Sequence, residues 1–227
     1  VVDTNLTDLS SDFSPQLSAD LDCNGQDIIM DSSNSIQDDS NNEYIKMAKT
    51  ASAVNEVTVT NAATGNAPNL SATGDDTNID LNLTPKGYGR TTLNGQGKIE
   101  SLAEKVTTEA TAATGTINYD VLTQAVWNFT SDAAANWTLN IRGDGSNTLD
   151  NIMDTGESVT VAHIVKQGST PYYNSAVQID GSGVTPEWQG GSAPSAGNAS
   201  SLDVYTYTVI KTGSATFTVL ASLTQFA

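Results

Sequence analysis

The chain has 227 residues, 37% of them apolar and 15% charged, and its 26 acidic against nine basic side chains leave a net charge of −17. So few cations cannot meet a phosphate backbone, which excludes nucleic acid as a partner. No run approaches the roughly 20 apolar residues of a membrane-spanning helix, and the single cysteine, Cys23, cannot form a disulfide within the chain.

Residues 1–42 hold nine Asp and no Lys or Arg. Their sparse apolar positions, among them Leu6, Leu9, Phe13, Leu17 and Leu21, cannot build a core alone. Such a segment orders only against partners, and its regular spacing suits copies of the chain meeting along an axis. The chain opens on Val1 rather than methionine, which reads as part of a longer polypeptide.

Residues 43–98 read as short extended pieces separated by turns. Glu56–Thr60 alternates with period two, Pro68–Ala72 and Asn78–Leu83 follow, and Arg90–Gly95 is the last short strand. Strands this short with one thin apolar face are marginal as isolated hairpins, so a shaft shared between chains is expected. Over Gly97–Gly115 the apolar positions 99, 102, 106 and 110 fall on one helical face, which predicts a short helical neck over 99–116. About four turns of lone helix are marginal in water, so the neck is either a three-chain bundle or a helix packed on its own chain.

From 117 to 227 apolar content rises and a compact domain is expected. Strands are predicted at Val121–Phe129, Trp137–Ile141, Ser158–Val165, Ala176–Ile179, Leu202–Ile210 and Ala215–Leu223, with helix confined to Leu149–Thr155. Turn chemistry separates them at Arg142–Asn147, Gln167–Pro171, Asp180–Gly183, Gly190–Pro194 and Lys211–Gly213. Six or seven short strands with this punctuation predict an antiparallel β-sandwich of jelly-roll type.

Three phrases carry a resemblance. Ser14-Pro15-Gln16-Leu17-Ser18-Ala19-Asp20-Leu21-Asp22-Cys23-Asn24-Gly25 is the first, and Val59-Thr60-Asn61-Ala62-Ala63-Thr64-Gly65 with Gly74-Asp75-Asp76-Thr77-Asn78-Ile79-Asp80-Leu81-Asn82-Leu83-Thr84-Pro85-Lys86-Gly87-Tyr88-Gly89 the second. The third runs from Ser169 to Gly181 and is joined by Trp188–Pro194 and Phe217–Ser222. In this order they resemble the tail-fibre and related virion fibre proteins of tailed bacteriophages, especially marine ones. The resemblance implies a homotrimeric virion appendage, attached to other tail or capsid proteins through its N-terminal side.

Little chemistry survives inspection. Asp20-x-Asp22-x-Asn24-Gly25 copies the start of a calcium loop with Asp31 at the twelfth position, but Asp27 stands where an apolar residue is needed, so a β-turn is the simpler reading. His163 is the only histidine and lies between Ala162 and Ile164 in a strand, a poor setting for a catalytic relay. Neither a catalytic residue nor a metal or cofactor site is assigned. Tyr172, Tyr173 and Trp188 sit beside Gly- and Pro-rich connections, where rings can stack on a sugar face; the competing reading has Trp188 plugging the end of the sandwich and the tyrosines lining a contact between chains.

The sequence therefore reads as mainly β, divided into an acidic extended segment (1–42), an intertwined shaft (43–98), a helical neck (99–116) and a C-terminal sandwich head (117–227). The expected function is a non-enzymatic trimeric adhesin on the virion that contacts a host glycan or protein without entering the membrane. The alternatives are a capsid or tail decoration that touches no receptor, and a polysaccharide depolymerase.

Overall fold

The computed structural model describes residues 27–29 and 34–227. Cys23 and the candidate calcium loop, apart from Asp27, Ile28 and Ile29, lie outside the described residues. The fold is mainly β with several sheets, in two compact units divided between Leu83 and Thr84.

Among its described residues the first unit contains two hairpins. Strands β1 (Asn34–Gln37) and β2 (Glu43–Met47) pair antiparallel with Ile36 opposite Ile45. Asp38 closes their turn by accepting from the Ser40 and Asn42 amides at 2.9 and 2.8 Å, and Asn41 takes the positive φ (64°) that the reversal needs. Strands β3 (Asn55–Thr60) and β4 (Asn69–Gly74) place Val57 opposite Ala72 and Val59 opposite Leu70, so these four share one face. The other face carries a polar ladder in which Thr73 Oγ1 donates to Glu56 Oε1 at 2.7 Å and lies 2.6 Å from Thr58 Oγ1. The apolar face is uncovered, with Val57 58% and Val59 77% exposed.

Two expected strands, Asn78–Leu83 and Arg90–Gly95, do not form, because alternation supplies side chains but no ladder partner. The helix over 97–115 is also absent: residues 97–105 lack regular structure, and Val106–Ala112 is strand β5. Four β-branched residues (Val106, Thr107, Thr108 and Thr111) fit a pleated surface better than a helix, and parallel pairing with the next strand of the same sheet completes the choice.

The sandwich is a flattened coil. After β5 come β6 (Gly115–Asp120), β7 (Val126–Ser131), β8 (Trp137–Arg142), β9 (Ser158–Lys166) and β10 (Asn174–Ile179). Successive strands alternate between two sheets, so β5, β7 and β9 pair parallel in one while β6, β8 and β10 pair parallel in the other. This corrects the expected antiparallel order. Parallel neighbours need a long return path, and here the strand of the opposite sheet provides it. Gly115, with φ 62°, turns the corner between β5 and β6.

Antiparallel pairs finish the coil. Strand β11 (Ser182–Val184) folds back on β10 through Asp180-Gly181, both at positive φ, and β13 (Leu202–Gly213) pairs with both β9 and β14 (Thr216–Phe226). The two-residue β12 (Glu187–Trp188) adds to β14 in parallel. Helix α1 (Leu149–Ile152), in the one stretch of the C-terminal domain where helix was expected, is capped by Asp180, which accepts from the Leu149 and Asp150 amides, and by Lys211, whose Nζ donates to the Met153 carbonyl at 2.9 Å.

Inward rows meet in the gap between the sheets. Trp137, Leu139 and Ile141 come from β8, Val161, His163 and Val165 from β9, and Tyr205, Tyr207 and Val209 from β13. His163 is fully buried, with the Phe129 ring centre at 5.0 Å, Trp137 at 5.8 Å, and Tyr119, Trp127 and Tyr205 each at 6.5 Å. Neither of its ring nitrogens has a hydrogen-bond partner among the described residues. It packs as a neutral ring, and burial pushes its pKa down to about 3.

A depressed histidine makes the unfolded chain the better proton acceptor. Its contribution is present above the ordinary value of 6.5 and is lost as pH falls from there toward 3, by about 1.4 kcal/mol per pH unit. Urea unfolding of His163→Phe, compared with the parent at pH 8, 6, 5 and 4, should show similar stability at pH 8 and a shallower decline below 6.5; equal slopes would refute the assignment.

Candidate functional site

The three candidate rings sit on two different segments of the chain. Tyr172 and Tyr173 lie in the connection from β9 to β10, and Trp188 ends β12. Gln167 clamps the first of them: its Nε2 donates to the Tyr172 carbonyl at 2.7 Å and its Oε1 accepts from the Tyr172 amide at 2.9 Å. The Tyr173 amide donates to Asn136 Oδ1 at 3.1 Å. Tyr172 packs on the core, and neither tyrosine lines any of the grooves described below.

Trp188 stands where the edge of one sheet meets the edge of the other. Its indole packs edge-on against Tyr205 (6.5 Å, 79°) and Tyr207 (6.1 Å, 73°). Those tyrosines are held in turn by Asn174, whose Oδ1 accepts from the Tyr207 hydroxyl at 2.9 Å and whose amide donates to the Tyr205 hydroxyl at 3.3 Å. The ring thus plugs the sandwich and still reaches the surface, since it is half-buried and borders two grooves. One groove, of about 440 Å³, runs along Asn174–Val177 and Gly183–Pro186; the other, of about 770 Å³, is bordered by Gln189, Ser192–Gly197 and Leu223–Gln225. Ala193 and Pro194 belong to both.

A buried polar junction holds the wall of the second groove. Asp203, fully buried, accepts at Oδ2 from Gln167 Nε2 (3.0 Å) and the Asn198 amide (3.1 Å), while burial raises its carboxyl above the usual carboxylate range. Gly197 threads between these groups. A Cβ there would overlap the Tyr172 carbonyl oxygen and lie 2.8 Å from Asp203 Oδ2. Sequence reasoning missed Gln167, Asp203 and Gly197, since only the fold brings the two loops together.

Several carboxylates elsewhere are occupied. Asp144 accepts from the Ser146 and Asn147 amides at 2.7 Å each, which holds its pKa below the ordinary value; Asp120 pairs with Arg142 Nε at 2.6 Å, and Asp180 caps α1. Arg90 pairs with both Asp154 (2.8 Å) and Glu157 and fastens the irregular segment that follows Thr84 to the sandwich. Among the described residues no group of three His, Cys, Asp or Glu is placed to hold a metal ion. No protein-family model, curated protein or solved structure matches the chain.

Gly197→Ala should destabilise the sandwich by about 1–3 kcal/mol through overpacking against backbone that cannot retreat. Gly183→Ala, which meets nothing within 4 Å, should leave the urea midpoint nearly unchanged, and equal effects of the two would contradict the junction.

Proposed function

We propose that the chain is a non-enzymatic segment of a bacteriophage virion fibre. It associates as a homotrimer through its N-terminal half, joins other virion proteins from that side, and uses the C-terminal sandwich to attach to a host surface. One observation carries this reading: the extended half exposes apolar side chains that its own secondary structure leaves uncovered. Tyr44 is 71% exposed, Leu93 70% and Leu102 72%, and the valine face of the β3–β4 hairpin is open as well. Scattered exposed apolar residues are ordinary, but these recur over isolated two-stranded hairpins and an irregular segment that would be marginal in water by themselves. Neighbouring copies that shared these thin faces would supply the missing burial, as in the intertwined shaft the phrase order resembles.

Adhesion follows from such an assembly. Identical sandwiches on one stalk turn weak single contacts into durable attachment by effective concentration. Trp188 supports this assignment because its ring is at once anchored and accessible. A depolymerase would need two free carboxylates facing each other across a cleft, and Asp120, Asp144 and Asp180 are each engaged in turn, ion-pair or helix-cap bonds.

Native mass spectrometry of the full chain should give three copies, and Val57→Glu with Val59→Glu should shift it to one while the urea midpoint of the sandwich stays put. A solitary parent chain in dilute buffer would overturn the trimer. Purified protein should sediment with at least one strain in a panel of bacteria when phage capsids are offered as the competing target; retention on capsids alone would overturn adhesion.

A further inference from the structure

We infer that the adjoining grooves on either side of Trp188 form one binding site for a neutral oligosaccharide, selective against acidic glycans. The inference rests on the adhesin reading for its biological setting and on the groove lining for its chemistry.

Charge is the deciding observation. In a chain of net charge −17, neither groove lining contains an Asp, Glu, Lys, Arg or His. Three other grooves all carry charge: Asp132 and Lys166 in one, Arg90 and Glu157 in another, Arg142, Asp144 and Asp180 in the third. Glu187 adjoins Trp188 in β12 but lines neither groove. An anionic ligand would find no cation there and a repelling protein field around it, and a cationic ligand would find no carboxylate. Uncharged ligands remain.

Polar groups narrow the class. Gln189, Ser192, Ser195 and Thr224 border the second groove, and their side chains make no hydrogen bond with other described residues. Each offers an amide or hydroxyl that is free to exchange water for a ligand hydroxyl. The indole beside them is a flat apolar surface, fixed by Tyr205 and Tyr207 before any ligand arrives. A ligand with an apolar C–H face and a rim of hydroxyls matches both features, which is the chemistry of a pyranose ring. Each groove falls within the roughly 300–1,000 Å³ of ordinary ligand sites, and the shared wall of Trp188, Ala193 and Pro194 lets consecutive sugar units lie in both.

Titration of the full chain with cellohexaose, mannohexaose and chitohexaose, against an alginate hexamer of the same length, tests the inference. At least one neutral hexamer should bind at least tenfold more tightly than the uronate. Gln189→Ala and Thr224→Ala should each weaken it about three- to tenfold with unchanged urea midpoints, and these surface variants carry the test because Trp188→Ala also opens the sandwich edge. Equal or tighter uronate binding, no binding of any neutral hexamer, or indifference to both variants would overturn it. Cell sedimentation separates the two readings. A parent that adheres to bacteria but ignores the neutral hexamers leaves adhesion standing and removes the groove site, and a parent that binds a neutral hexamer but adheres to no cell does the reverse.

Discussion

Two stacked sheets lie about 10 Å apart, and the side chains that fill that gap decide whether they hold together. Here a cluster of rings fills one part of it, among Leu, Ile and Val side chains. His163 sits at the centre of a set of edge-on contacts with Tyr119, Trp127, Phe129 and Trp137, and Tyr205 lies tilted beside it. Its neutrality is a condition of that packing, because a charged imidazole with no partner could not be buried there. Polar bonds cross the same gap at its margins: the Tyr119 hydroxyl donates to the Ala125 carbonyl at 2.6 Å, and Asn174 joins both β13 tyrosines to the start of β10.

The coil topology follows from the same gap. Strands that alternate between sheets place every inward row opposite the row before it, so each added pair of strands extends one continuous core. A coil of this kind leaves open edges at its ends, which invite pairing with other chains. At one end the long β13–β14 hairpin closes β9 and short β11 closes β10. Strands β5 and β6 form the opposite edges, and the irregular segment fastened by Arg90 precedes them.

Loops on this frame are held by backbone rather than by bulk. Gln167 bonds the Tyr172 carbonyl and amide, and Asp203 Oδ2 accepts from Gln167 and the Asn198 amide, where the two connections meet at Gly197. That arrangement frees the serines, threonine and glutamine outside it to face solvent around a fixed indole. Rigidity behind and hydration in front are what a reusable contact surface needs, whatever it contacts.

The sequence by itself determined that this is a β protein, where its core strands lie and which turns divide them. Period-two alternation in Leu202–Ile210 and Ser158–Val165, and Asp180-Gly181 between β10 and β11, are local signals that any tertiary setting preserves. It also marked Trp188 as a ring beside a Gly-rich turn. Only the tertiary structure decided that the strands coil in parallel, that Val106–Ala112 is strand rather than helix, and that Trp188 borders two grooves that neither Tyr172 nor Tyr173 lines. The physical reason is common to all three: strand pairing, edge choice and groove walls are made between residues far apart in the chain. Spacing along the sequence states which face a side chain occupies, and only the paired ladder states what lies opposite it.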